Sequence, residues 1–151
     1  MLCACDVSPS PPKSTRRCTV SGAAICEPAE VAQWDGGVIE AIDAPHDYPR
    51  PGQTVRWHYG SERWPELRDR PQEVVPEQKL RSILQFGPYY MDETYSLTAW
   101  QRGTMLTTTV DLTVRRSVFG PLLERLWTGR EVRRGFEASL AGLKRYCEAS
   151  Q

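Results

Sequence analysis

A carboxyl group, a phenol and an isobutyl group alternate in the run Glu93-Thr94-Tyr95-Ser96-Leu97. In an extended chain these three side chains share one face. A glutamate held on such a face away from water has its pKa raised, and it can donate or accept a proton near neutrality. The same glutamate at a wet strand end carries no chemistry. Glu93 is therefore the one weak catalytic candidate. Arg81 alternates with the apolar residues Leu80 and Leu84. It either anchors a ligand carboxylate through a bidentate contact or forms a surface ion pair. Tyr89-Tyr90 follow Gly87-Pro88. Their hydroxyls either orient a ligand at a cavity mouth or belong to an exposed turn.

Other chemistries find no foothold. His46 lies among prolines and His58 opposes the apolar face of its segment, so neither has a partner at metal-ligand spacing, and no metal or cofactor is expected. Cys3 and Cys5 sit in a polar lead, where a metal clip is less plausible than chance. There is no glycine-rich phosphate loop and no Gly-x-Ser-x-Gly elbow. The five cysteines include no Cys-x-x-Cys pair, and four crowd the first 26 residues. Reduced thiols in the cytoplasm are the simpler expectation. The 19 basic and 19 acidic residues cancel, which argues against a nucleic-acid partner. No apolar run approaches membrane-spanning length, and the first residues do not read as a secretory signal.

The elements that would position these residues follow from the pattern. Residues 1–17 are polar and proline-rich and read as a disordered lead; residues 18–150 read as one domain. Thr19 to Cys26 is a weak first strand, and Glu27 to Trp34 a single helical turn opened by Pro28. Val38 to Ile42 is a short strand. Asp43 to Gly52 holds three prolines and is a loop. Gln53 to Tyr59 alternates, with Val55, Trp57 and Tyr59 on one face. Arg63 to Arg70 is ambiguous, Gln72 to Val75 a brief strand. Gln78 to Phe86 places Leu80, Leu84 and Phe86 together. Asp92 to Trp100 and Thr104 to Arg115 form a hairpin, with Glu93, Tyr95 and Leu97 on one face and Leu106, Thr108 and Val110 on one face of its partner. Its threonines suit a half-exposed sheet. From Phe119 to Ala149 the period becomes helical, through Leu126, Phe136, Leu140, Leu143 and Cys147. Gly129 and Gly135 inside that helix mark either a bend or a close approach of sheet or ligand.

This order of elements, with Pro28-Ala29-Glu30-Val31 and Trp34, Pro51-Gly52 before a strand, Arg102-Gly103-Thr104 in the last hairpin and Ser139-Leu140-Ala141-Gly142-Leu143-Lys144 near the end, resembles the START-like helix-grip superfamily, or SRPBCC proteins. That superfamily includes polyketide cyclases and lipid-transfer domains. The resemblance covers about residues 19–149. It implies an α+β fold in which a curved antiparallel sheet wraps a long C-terminal helix. Here the N-terminal helical segment is shortened, since only Glu27 to Trp34 is available for the helices between the first two strands.

The implied activity is binding of a hydrophobic small molecule between sheet and helix. Such a cavity is apolar with a few convergent polar groups. Trp57, Tyr59, Leu84, Phe86, Tyr95, Leu97, Leu106, Val110, Phe136 and Leu140 fall on plausible inward faces, as ligand contacts or as plain core. Two other readings stay open. One is a cyclase/dehydratase-type enzyme using Glu93 and a tyrosine. The other is an interaction module, homodimer included, with an open apolar face near Val31–Trp34.

Overall fold

The computed structural model describes residues 3–5, 22–100, 103–114 and 121–149. The fold is α+β: a curved antiparallel sheet against a long C-terminal helix, with short helices near the N-terminus. The strands are β1 (Cys3–Cys5), β2 (Val38–Ala41), β3 (Val55–Tyr59), β4 (Glu66–Val75), β5 (Lys79–Phe86), β6 (Tyr89–Trp100) and β7 (Gly103–Val114). The helices are α1 (Gly22–Cys26), α2 (Pro28–Trp34) and α3 (Pro121–Ala149). From β2 to β7 each strand pairs with the next, and β1 adds outside β7. Consecutive hairpins need only short turns, which is how so small a chain builds a broad sheet. Within the lead expected to be disordered, Cys3–Cys5 pair with β7; residues 6–21 lie outside the described residues.

Two elements differ from expectation. Gly22–Cys26 is helix, not the end of a first strand. Five residues are too few for a helix to hold alone. Distant partners hold this one. The Gly22 amide donates to Glu77 Oε2 at 2.8 Å, from the tip of the β4–β5 hairpin, and the Trp34 indole donates to the Ala24 carbonyl at 2.6 Å. The second is β4, which runs unbroken from Glu66 to Val75 through the ambiguous stretch and through Pro71. A bulge between Pro71 and Glu73 absorbs the proline, which cannot donate to the ladder.

Strand register aligns the inward face. Val55, Asp69, Leu84 and Met91 stand directly opposite one another across β3 to β6. Pro71, Ser82, Glu93 and Val110 form the next row, and Leu80, Tyr95 and Thr108 the row beyond. On α3, Val132, Phe136, Ser139, Leu143 and Cys147 recur at helical spacing as one stripe. The far end of that stripe closes the main core, where Leu143 and Cys147 pack with Trp34, Ala24, Ile25, Leu80 and Leu97. A second cluster joins Val38, Tyr48, Val55 and Trp57. Trp34 is buried and Val31 packs on both clusters, so that segment offers no open apolar face among the described residues.

Of the described glycine surroundings on α3, those of Gly142 meet another element closely. A Cβ there would fall on the backbone carbonyl oxygen of Trp34 at the end of α2. Gly135, by contrast, faces open space. The surroundings of Gly129 lie outside the described residues.

Candidate functional site

Between the inward face of the sheet and α3 lies a cavity of about 430 Å³. Its sheet wall is built by the alternation of β3 to β6, which contributes Trp57 and Tyr59, Leu67 and Asp69, Leu80 to Phe86 at every second residue, and Tyr89 to Tyr95 likewise. Val132, Gly135, Phe136 and Ser139 of α3 form the facing wall. Ile25, Val31, Trp34 and Asp35 close the side of the short helices, with Tyr48 beside Trp57. Aromatic rings meet edge to face there: Tyr48 and Trp57 have centroids 6.3 Å apart, and Tyr59 and Phe86 5.1 Å. Such pairs hold a wall rigid beyond what area burial alone supplies.

Polar groups break this apolar lining along one strip. Asp69, Ser82 and Glu93 are 7%, 3% and 6% exposed, and all three line the cavity. Ser82 stands directly opposite Glu93, and Asp69 sits one inward position along on the neighbouring strand. Among the described residues Asp69 Oδ1, Ser82 Oγ and Glu93 Oε1 have no hydrogen-bond partner. Thr108 Oγ1, opposite Tyr95 on β7, is in the same condition but does not line the cavity.

The electrostatics follow from burial. Loss of water pushes the Glu93 carboxyl up to about 8; the Tyr95 hydroxyl bonded to it acts the other way, and the charges of Asp69 and Asp35 raise it further. Asp69 is raised by burial too. It is opposed by a 2.6 Å hydrogen bond from the Tyr48 hydroxyl to Oδ2, and by Ser82 and Trp57, which lie near enough to favour its charged form without satisfying Oδ1. Burial lifts the Tyr48 and Tyr95 phenols well above their ordinary range and Tyr59 to about 12, so all three are neutral donors. A carboxyl that titrates near neutrality beside a cavity can move a proton to or from a bound molecule.

Of the residues singled out from the sequence for a ligand or for catalysis, Trp57, Tyr59, Leu84, Phe86, Tyr89, Glu93, Tyr95, Gly135 and Phe136 meet at this cavity, Tyr89 from strand β6 and not from a turn. The other described ones do not line it. Leu97 is buried in the main core, and Leu106, its cross-strand neighbour, packs partly buried on that core. Val110 is paired beside Glu93, and Leu140 is partly buried on α3. Arg81 lies on the outer face, where its guanidinium grips Asp92 with bonds of 2.9 and 2.7 Å. As a ligand anchor it is displaced by strand parity, because an odd-numbered residue of β5 faces away from Leu80 and Leu84. Sequence reasoning missed Asp69, Ser82 and Tyr48. The first two were marked by the same period of two: Leu67, Asp69 and Pro71 alternate with Glu66, Arg68 and Arg70, and Ser82 lies between Leu80 and Leu84. No local pattern marks Tyr48. Among the described residues no three His, Cys, Asp or Glu side chains are grouped to hold a metal, and no helix is long and apolar enough to cross a membrane.

No family profile matches the chain, and no curated protein matches its sequence. Solved structures do resemble it. Protein CV1439 from Chromobacterium violaceum has a TM-score of 0.65 at 18% identity, covering 87% of this chain and 93% of that one. An uncharacterized protein from Rhizobium leguminosarum has a TM-score of 0.66 at 17% identity, covering 99% and 93%. DynU16, a protein of the dynemicin biosynthetic locus, has a TM-score of 0.62 at 21% identity; the match covers all of this chain but 47% of that one. At these identities the likeness is one of fold: an antiparallel sheet with a C-terminal helix.

Proposed function

We propose that the protein binds a hydrophobic or aromatic small molecule, lipid- or polyketide-like, in the cavity between sheet and α3. One observation carries this reading. Asp69, Ser82 and Glu93 line a largely apolar cavity, and each keeps a buried oxygen without a partner among the described residues. In a core that exists only to be filled, more than about nine in ten buried polar groups are paired, and an unpaired one costs roughly 1–3 kcal/mol. Three together are the arrangement of a receptor whose partners arrive with the ligand. The occurrence of a similar fold in a biosynthetic locus is in keeping with a small-molecule ligand. In this reading the protein acts in the cytoplasm, as a START-like domain with its thiols reduced.

A second reading is favoured by Glu93 alone. A buried carboxyl at about 8, bonded to Tyr95, is placed for the acid–base step of a cyclase/dehydratase-type enzyme acting on the bound molecule.

Native mass spectrometry of protein purified from its source tests the binding reading. The expected spectrum carries an added mass that is lost on denaturation and fragments as an aromatic or lipid-like compound. A bare chain accompanied by a dimer peak would instead favour an interaction module.

A further inference from the structure

Among the described residues the buried carboxyls of the cavity have no ion pair. On the outer face of the sheet the ion pairs are closed: Arg56 with Asp43 and Glu66, Arg68 with Glu66, Lys79 with Glu73, Arg81 with Asp92. On the inner side Asp35, Asp69 and Glu93 line the cavity, and among the described lining residues Arg63 is the one basic side chain. That guanidinium is exposed and lies 5.5 Å from the centroid of the Trp64 ring, at the rim and not on the strip. Asp35 has a local partner, since its Oδ1 accepts from the Gly37 amide at 2.9 Å.

Burial raises the Asp69 carboxyl, and one hydrogen bond works against that by favouring its charged form. The Tyr48 hydroxyl reaches its Oδ2 at 2.6 Å, inside the range of roughly 2.5–2.7 Å for an O–H donor on a carboxylate. Its other oxygen completes no hydrogen bond among the described residues, although Ser82 and Trp57 lie near the carboxyl. Burying a carboxylate so held, with no cation beside it, is unfavourable until a cation comes.

We infer that the strip Asp69–Ser82–Glu93 recognises the protonated amine of an otherwise apolar or aromatic ligand. The inference rests on the binding reading above and names the ligand class. A primary ammonium carries three N–H donors and no acceptor. The strip carries three buried oxygens without partners among the described residues, on Asp69, Ser82 and Glu93, in adjacent inward positions of β4, β5 and β6, for an entering ammonium to satisfy. Trp57 and Tyr95 line the same cavity, and aromatic rings attract a desolvated cation. A neutral alcohol of the same shape donates one hydrogen bond and leaves both carboxyls without a counter-ion.

Glu93 gives the site a pH signature. Among the described residues the groups facing it are Asp69 on β4, Tyr95 on its own strand, Tyr59 on β3, Asp35 after α2 and Tyr48 in the β2–β3 loop, with Arg63 at the rim; the described lining of α3 adds no titratable side chain. Below its pKa Glu93 holds a proton that an ammonium ligand must displace. Amine affinity therefore rises with pH toward about 8, by at most about tenfold per unit for one proton released.

The test is displacement of Nile red, a neutral apolar dye, by tryptamine and by its alcohol counterpart tryptophol. The expected result is that tryptamine displaces the dye at concentrations at least about tenfold lower than tryptophol, and that Asp69→Asn and Glu93→Gln each shrink that ratio. If Asp69→Asn does not fold, Glu93→Gln carries the comparison. Equal potency of the two compounds, or a preference for tryptophol, while the dye binds, would overturn the amine and leave the cavity reading standing. Failure of the dye to bind would remove both.

Discussion

The unfolding free energy of this protein falls as pH rises from about 5 to 9, and Glu93→Gln removes the larger part of the fall. A glutamate in an unfolded chain titrates near 4.5, whereas Glu93 in the fold titrates near 8. Between those values the folded state holds a proton that the unfolded state has released. Stability therefore decreases with pH across that window and levels off above it. A difference of this size corresponds to roughly 4–5 kcal/mol, a large share of the about 5–15 kcal/mol that holds a domain together. Asp69, also raised by burial, acts in the same direction. The lowered carboxyls of Asp43, Glu66 and Asp92, paired with arginines on the outer face, act in the opposite direction. Their contribution is lost only below the ordinary carboxylate range, outside the window. Urea unfolding at three pH values reads the effect. The ranking of wild type and Glu93→Gln should invert: little difference, or a small loss, on the acid side, and a more stable variant on the basic side. A wild-type stability that stays flat or rises across the window would show that Glu93 is not buried as described.

Gly142→Ala destabilises the protein by about 2–3 kcal/mol or more, against the usual sign of a glycine-to-alanine change in a helix. In a helix interior alanine is ordinarily better by about 1 kcal/mol. At Gly142 the added methyl falls on the Trp34 carbonyl, which is backbone and has no rotamer to yield. Helices α2 and α3 must separate, opening the core that Leu143, Cys147 and Trp34 share. Gly135→Ala is the internal control. Nothing lies within 4 Å of its Cβ position, so there the helix preference acts alone and the change should stabilise by up to about 1 kcal/mol. Thermal or urea unfolding of the two variants decides the matter. Equal effects at both positions would mean that α3 does not rest on α2 at Gly142.

The parts of this fold that were legible in the sequence are those whose side chains obey one rule throughout. The β6–β7 hairpin alternates cleanly, so Glu93, Tyr95 and Leu97 were grouped on one face, while the sequence left open whether Glu93 is buried or at a wet strand end. The C-terminal helix shows its stripe from Phe136 to Cys147. Helix α1 was not legible, because five residues carry no period and its stability comes from Glu77 and Trp34, remote in sequence. Strand β4 was obscured by its chemistry. Its inward positions are Leu67, Asp69 and Pro71, a carboxylate and a proline where a core strand would show apolar residues. Ser82 hid in the same way between two leucines. A strand that lines a binding cavity departs from the apolar pattern at the positions that meet the ligand, so the candidate site is least visible where it is most specific. The close approach of α3 fell to Gly142 and not to Gly135, because packing on another helix, and not helical preference, decides which glycine is required.

Binding of Nile red to wild type and to Ser82→Phe tests the central claim most directly. Ser82 lies in the middle of the cavity floor and is almost wholly buried. A phenyl ring there takes up cavity volume between Leu80 and Leu84 and replaces a hydroxyl without a partner among the described residues. The variant should therefore remain folded, with a melting temperature equal to or above that of wild type. Wild type should bind the dye saturably with one site per chain, and Ser82→Phe should weaken that binding by at least about tenfold. Equal binding by the two proteins, or none by wild type, would contradict a ligand site between the sheet and α3.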